Sequence, residues 1–146
     1  MSRIRTVFFA TDFSPASRPA FRRAVDLAAA SRATLWIGHV IPVAPAHFDG
    51  GVLPRMYREM DAFVRKDTEK RLSALVEAAR RAGARARSVV LRGVPHEAIR
   101  RAARGRRADV LVLGTHGRTG ISRLVVGSVA SRLLATAPCP VLTVKA

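Results

Sequence analysis

Apolar residues recur along this chain in two alternating patterns. Five short runs are rich in apolar and β-branched residues, and the central ones lack a clean apolar/polar alternation, which is typical of strands buried on both faces. Between them, apolar residues return every three or four positions, which is typical of amphipathic helices. The predicted strands cover residues 4–10, 34–40, 85–91, 109–113 and 141–144, and the predicted helices cover about 15–31, 54–82, 94–104 and 128–136. This order predicts an α/β fold with a doubly wound five-stranded parallel sheet, flavodoxin-like or Rossmann-like, and helices on both faces.

Turn and cap residues mark the ends of several elements. Ser14-Pro15 resembles a cap with proline at the first helical position, but Pro19 would then lie too deep, so Ser17 is an alternative cap. The helix over 54–82 carries an apolar stripe that is predicted to pack in the core: Met56, Met60, Val64, Leu72, Leu75 and Ala79. Two prolines lead into the last strand, which predicts that this strand lies at an edge of the sheet.

A long glycine-rich, basic loop follows the fourth predicted strand. It begins at Gly114 and ends at Gly127-Ser128, where a helix is predicted to start. Glycines allow a close backbone approach or a positive φ, and a helix N-terminus favours an anion, so we expect this loop to hold a phosphate chain. The loop lacks the lysine of a P-loop, and its G-x-x-G spacing does not match a dinucleotide fingerprint. The alternative is a glycine-rich turn that only reverses the chain.

The loop after the first strand is the second candidate for a binding loop. Parallel strands bind ligands at their carboxyl ends, where the winding direction reverses, so this loop and the glycine-rich loop are expected to converge. Asp12 lies there and is interpreted either as a turn or capping residue or as a ribose ligand. His116 is either a surface residue or a phosphate or ribose contact. Cys139, between two prolines, is expected to be a small buried residue and not a nucleophile.

The motifs together resemble one known family. Gly114-x-x-Gly117, nine further residues and Gly127-Ser128 resemble the G-2x-G-9x-G-[S/T] nucleotide-binding signature of the universal stress proteins. The stretches "VFFATDFSPAS", "IGHVIP", "GVPHEAI" and "APCPVLTVK" resemble further segments of that family, so the resemblance covers the whole chain. It implies one nucleotide-binding domain over residues 1–146, strand order 3-2-1-4-5, ATP as the ligand, and a homodimer. Mg²⁺ or Mn²⁺ would enter on the phosphates of ATP, and the short apolar edge strand at the C-terminus predicts that the dimer pairs through it.

The resemblance also implies roles for individual residues. Ala10, Thr11 and Asp12 would line the adenosine side, with Asp12 near the ribose, and Val40 would contact adenine through its backbone. Leu113, Gly114, His116 and Gly117 would surround the ribose and the first phosphates. The outer phosphates would be held by Gly127, Ser128, Val129 and Ala130. Some members place a threonine at the last of these positions, whereas Ala130 offers only its backbone.

Composition and charge bear on three further points: nucleic-acid binding, cellular location and catalysis. The net charge of +16 raises the possibility of nucleic-acid binding, but only three of the 26 basic residues are lysine and no basic block occurs, so scattered arginines of compositional origin explain the charge better. The single cysteine and the absence of a membrane-length apolar run predict a cytoplasmic protein. The resemblance implies a stress-response regulator or sensor. No acid/base pair, Ser-His-Asp set or metal cluster is visible in the sequence, so we expect at most slow ATP hydrolysis. The alternatives are an adenine-nucleotide hydrolase or transferase, and a basic nucleic-acid-binding module.

Overall fold

A computed structural model describes residues 3–43, 54–116 and 126–146. Its five strands are β1 (Thr6–Ala10), β2 (Thr34–Ile41), β3 (Arg85–Arg92), β4 (Val110–Gly114) and β5 (Val141–Val144). Its four α-helices are α1 (Arg18–Ser31), α2 (Pro54–Arg81), α3 (Pro95–Gly105) and α4 (Ser128–Thr136), and a 3₁₀ turn over Pro15–Ser17 precedes α1. The strands form one parallel sheet in the order β3-β2-β1-β4-β5. The predicted doubly wound α/β fold and its strand order are confirmed.

Two apolar clusters hold the helices on opposite faces of the sheet. The first packs α1 and α2 against Val7, Phe9, Leu35 and Ile37, and the second packs α3 and α4 against Phe8 and Leu111. Residues alternate between the two faces along each strand, so each buried strand contributes to both clusters. β1 and β4 are therefore apolar at every central position. Among the described residues, no helix is both long and apolar enough to cross a membrane.

Several predicted boundaries change for local reasons. β1 starts at Thr6 and not at Ile4, because the Arg5 and Thr6 N–H groups donate to the Asp109 carboxylate at 2.7 and 2.9 Å. α1 begins at Arg18 after Ser17, as the second reading proposed, but the Ser17 hydroxyl does not cap the helix. It donates instead to the Ser14 carbonyl at 2.8 Å.

The predicted apolar stripe of α2 is wrong over its first half. Leu72 and Ala79 are buried and Leu75 packs against the core, as expected. Met56 and Met60 are 51% and 62% exposed, and Val64 is also exposed. The reason is length: 28 helical residues span about 42 Å, whereas the eight residues of β3 span about 26 Å. The helix is thus longer than the sheet beneath it.

Candidate functional site

One cavity lies where the winding direction of the sheet reverses. β1 is the central strand. β2 and β3 are added on one side of it, and β4 and β5 are added on the other side. At the carboxyl ends of these three strands is a cavity of about 340 Å³. The starts of α3 and α4 complete its wall through Pro95 and Gly127. The predicted convergence of the β1 and β4 loops is therefore observed, at the place where parallel sheets bind ligands.

Eleven of the twelve residues predicted for the site line this one cavity. They are Ala10, Thr11, Asp12, Val40, Leu113, Gly114, His116, Gly127, Ser128, Val129 and Ala130. Gly117 lies outside the described residues, as do Arg118 and Arg123 of the same loop. Two segments more than 100 residues apart in the sequence are thus brought together by the sheet.

The β1 loop is fixed by a set of short hydrogen bonds. The Thr11 N–H donates to the Gly38 carbonyl at 2.9 Å, and the Thr11 hydroxyl accepts the Phe13 N–H at 3.0 Å. Asp12 forms an Asx turn in which Oδ1 accepts the Ser14 N–H at 2.9 Å. The turn interpretation of Asp12 is therefore observed. It does not exclude a ligand role, because the half-buried carboxylate also lines the cavity.

Phe13 and His39 support this loop from behind. Phe13 has φ of 62°, the left-handed region that non-glycine residues rarely occupy. Its ring stacks on the His39 ring, with the two centroids 4.4 Å apart. On the side of α2, the guanidinium of Arg71 lies 5.6 Å from the centroid of the Phe13 ring. His39 Nδ1 bonds the Thr11 carbonyl at 2.7 Å and must donate, since a carbonyl only accepts. The loop is thereby held in one conformation with Asp12 at the cavity.

The start of α4 is tied directly to the end of β4. The Gly127 N–H donates to the Thr115 carbonyl at 2.7 Å, and the Thr115 N–H donates to the Val144 carbonyl at 3.1 Å. The Ser131 N–H makes a helical bond to the Gly127 carbonyl at 2.9 Å, so Gly127 is the N-cap residue. A glycine has no side chain that could cap the first N–H groups of the helix. Ser128, Val129 and Ala130, the first three residues of α4, line the cavity, so the positive end of the helix dipole lies at its wall.

The two glycines of the motif that the structure describes, Gly114 and Gly127, differ in whether their surroundings favour glycine. Gly114 does not adopt a positive φ, which corrects one of the two expectations for it. A Cβ there would lie 3.3 Å from the Ala16 carbonyl oxygen, a tight contact, so glycine favours the close packing of β4 against the 3₁₀ turn. Gly127 has φ of −57° and ψ of 156°, a conformation that any residue adopts. Its backbone therefore does not require glycine.

Seven lining residues were not predicted for the site. They are Ser17, Gly38, His39, Pro42, Pro95, Ile99 and Thr115. Gly38 has a signal in the sequence, because it interrupts an apolar strand, and a Cβ there would lie 2.7 Å from Phe8 Cζ. Pro95 and Ile99 carry no local signal, since they reach the cavity only because α3 packs beside β2.

Comparison with known proteins identifies the family. The profile of the universal stress protein family matches residues 3–145. This chain belongs to the universal stress protein family. Universal stress protein MJ0531 of Methanocaldococcus jannaschii is 30% identical over 97% of this chain and 82% of its own length. Universal stress protein A homolog 1 of Coxiella burnetii is 30% identical over 94% of each chain.

Solved structures of similar proteins show the same fold. Protein MJ0577 of M. jannaschii superposes with a TM-score of 0.85 at 20% identity, covering 99% of this chain and 98% of that one. A universal stress protein solved in complex with cAMP has a TM-score of 0.68 at 28% identity, covering 99% and 98%. A member from Archaeoglobus fulgidus was solved with dAMP and superposes with a TM-score of 0.69 at 21% identity, covering 99% and 100%. Adenine nucleotides are thus bound by several proteins of this fold.

Proposed function

We propose that this protein is an ATP-binding universal stress protein that acts in the cytoplasm as a stress-response regulator or sensor. The observation that carries the proposal is the single cavity in which the β1 loop, the end of β4 and the N-terminus of α4 meet. Its volume of about 340 Å³ is within the range of small-molecule pockets. The cAMP complex of a 28% identical protein supports an adenine nucleotide as the ligand class.

The chemistry of the cavity suits the two ends of ATP. β2 and α3 contribute the apolar residues Val40, Pro42, Pro95 and Ile99, which suit a purine ring. α4 contributes the N–H groups of its first turn and a partial positive charge at the β4 side of the cavity, which suit phosphates. Asp12 is the one carboxylate that lines the cavity among the described residues, and we assign it to the ribose hydroxyls.

The proposed role as a regulator rests on the family and on the few catalytic groups that line the cavity. Asp12 is the one carboxylate among the described lining residues, so no pair of carboxylates is present there and at most slow hydrolysis is expected. Within the described ranges, no group of three His, Cys, Asp or Glu residues could hold a metal ion. Mg²⁺ or Mn²⁺ would therefore enter on the phosphate oxygens of ATP and neutralise part of their charge. A phosphate-release assay with ATP tests this role: at most slow release is expected of a regulator, whereas rapid turnover would indicate a hydrolase.

Gly127→Val is the decisive substitution for ATP binding. The ordinary φ and ψ of Gly127 accommodate valine without backbone strain, but its side chain would occupy the space assigned to the outer phosphates. We expect calorimetric titration to show loss of ATP binding, while adenosine binding falls much less. Gly105→Val is the matched control, because no atom lies within 4 Å of a Cβ at that position. ATP affinity equal to wild type in a folded Gly127→Val variant would contradict the proposal.

Two further variants test the remaining assignments. Ser128→Ala removes one hydrogen bond to a charged group and should weaken the binding of ATP by about 1.5–3 kcal/mol.

Asp12→Ala should weaken the binding of adenosine and of ATP alike, because the assigned partner of Asp12 is the ribose. Asp26→Ala is its control, since Asp26 is an exposed carboxylate of α1 paired only with Arg23. An Asp12→Ala variant that loses ATP but keeps adenosine would place Asp12 at the phosphates instead.

We also propose that the protein is a homodimer paired through β5. This strand is at the edge of the sheet and pairs only with β4 in the described structure. Its Leu142 side chain is 40% exposed. An apolar edge strand with an unpaired side favours addition of a strand from a second molecule.

A further inference from the structure

A second cavity lies at the opposite end of the sheet. Its volume is about 640 Å³, and it is lined by Thr6, Thr34, Trp36, Arg80, Ala84, Arg85, Ala86 and Arg87. These residues lie at the amino ends of β1, β2 and β3, and none of them lines the proposed nucleotide cavity. Whatever this cavity binds would therefore be independent of the proposed function.

The sheet register places hydroxyl and guanidinium groups side by side there. Thr6 is opposite Thr34, and Thr34 is opposite Arg85 in the next strand. One pleat further along, Trp36 is opposite Arg87. Alternate residues share a face, and adjacent parallel strands lie about 4.8 Å apart. Two hydroxyls and two guanidiniums thus project from one small area of the face that α3 and α4 cover.

Trp36 orders the positive charge at this end of the sheet. The guanidinium of Arg106, just after α3, lies 4.5 Å from the indole centroid, and that of Arg87 lies 5.8 Å away. Cation–π contacts hold both guanidiniums against the ring. The indole is thus in contact with charge and is poorly available for stacking of a nucleobase.

This positive charge lacks a compensating carboxylate. In the part of the chain that the structure describes, Arg85, Arg87 and Arg106 form no ion pair. The carboxylate at this end of the sheet, Asp109, already accepts two backbone N–H groups. Arg80 differs from the other arginines, because it donates two hydrogen bonds to the Ala86 carbonyl at 3.2 and 2.9 Å.

Arg106, which contacts Trp36 beside the cavity, is a desolvated positive charge. Among the described residues, its buried Nε atom has no hydrogen-bond partner. The side-chain hydrogen bond that it makes there, from Nη1 to the Ala102 carbonyl, is long at 3.4 Å. Burial lowers the pKa of Arg106, because the charged form is desolvated without compensation. A desolvated guanidinium with an unsatisfied N–H is costly unless an acceptor is supplied.

We propose that this second cavity is an anion site for the phosphate groups of a small polyphosphate ligand. Arg85 and Arg87 line the cavity and supply planar N–H donors that match phosphate oxygens, and the Thr6 and Thr34 hydroxyls add two more donors. Arg106 does not line the cavity, but its guanidinium contacts the indole of Trp36, which does, and so adds positive charge beside it. Recognition is through phosphate and not through a base, since the indole is already in contact with guanidiniums. Sodium tripolyphosphate is therefore the probe that represents this chemistry.

Trp36 provides a local readout, because it is the only tryptophan of the chain. Titration of the full-length protein with tripolyphosphate should change its fluorescence saturably, with sodium sulfate at equal ionic strength as reference. The double variant Arg85→Gln/Arg87→Gln should weaken the midpoint at least tenfold. The matched double variant Arg22→Gln/Arg58→Gln removes the same charge from exposed helix positions and should stay within twofold of wild type. Calorimetry with the same probe repeats the measurement without relying on the fluorophore.

Three results with the wild type and the arginine variants would overturn this proposal. They are no saturable binding to wild type by either method, equal weakening in both double variants, and binding of a single-stranded oligonucleotide without any binding of tripolyphosphate. The Gly127→Val variant separates the two sites, because it is expected to lose ATP and to keep the tripolyphosphate response. Loss of that response in Gly127→Val would mean that the probe binds at the nucleotide cavity, which also contradicts a second site.

Discussion

At the scale of single residues, Gly114 illustrates how one motif position combines packing with binding. It lines the cavity, yet a Cβ at this position would press on the Ala16 carbonyl oxygen, 3.3 Å away, and lie 3.8 Å from Ser17 Cα. These neighbours are backbone atoms and cannot rotate away. The 3₁₀ turn that precedes α1 would have to shift, and Asp12 lies only a few residues before it.

We therefore expect Gly114→Ala to destabilise the protein even without nucleotide. Overpacking of this kind costs about 1–3 kcal/mol. Gly105→Ala is the control. No atom lies within 4 Å of a Cβ at this position, which is in a helix, so the free energy of unfolding should stay the same or rise by up to about 1 kcal/mol. Urea unfolding of nucleotide-free protein measures both. Equal stability of Gly114→Ala and wild type would show that packing against the 3₁₀ turn does not require this glycine.

At the scale of elements, α2 is attached to the sheet beyond its buried half by one ion pair. Arg92, the last residue of β3, donates to both carboxylate oxygens of Asp61 at 2.7 and 3.0 Å. This hydrogen bonding lowers the pKa of Asp61, with a smaller opposing effect of burial. The exposed Met60 and Phe63 lie close to it in the sequence. The pair thus fixes a part of the helix that has few apolar contacts.

The pH dependence of this pair has a defined sign. The pKa of Asp61 is lower in the folded state, so its stabilisation is present above the unfolded pKa and is lost as pH falls through the folded pKa. Asp61→Asn should lower the melting temperature at about pH 7 and change little at about pH 2. Glu69→Gln, in the exposed same-helix pair with Arg65, should have a smaller effect. An equal loss at both pH values would exclude an ionic origin.

At the scale of the whole molecule, the free edge of β5 determines the assembly that we expect. Leu142→Lys should shift the mass measured by light scattering from dimer toward monomer, because it introduces a charge into the pairing edge. Leu134→Lys is the matched control, since Leu134 is 51% exposed on α4. A folded Leu142→Lys variant of unchanged mass would place the interface elsewhere.

Most of the fold was predictable because its signals are local. The bounds of α4 and β5 were predicted correctly, since a glycine and two prolines mark them. The exposure of Met56 and Met60 could not be predicted. Periodicity identifies an apolar face of a helix but does not say whether a sheet lies beneath that face. The contributions of Pro95 and Ile99 to the cavity depend on how α3 packs against the sheet. No sequence pattern shows that packing.

The central claim is that this chain is an ATP-occupied member of its family. The most direct measurement is the nucleotide content of protein purified without added nucleotide, extracted by denaturation and quantified by chromatography and mass spectrometry. We predict ATP at a substantial fraction of one molecule per chain in wild type and in Gly105→Val, and none in Gly127→Val. Wild type that yields no adenine nucleotide, and gives no calorimetric signal with added ATP, would contradict the account and leave the glycine-rich loop as a turn.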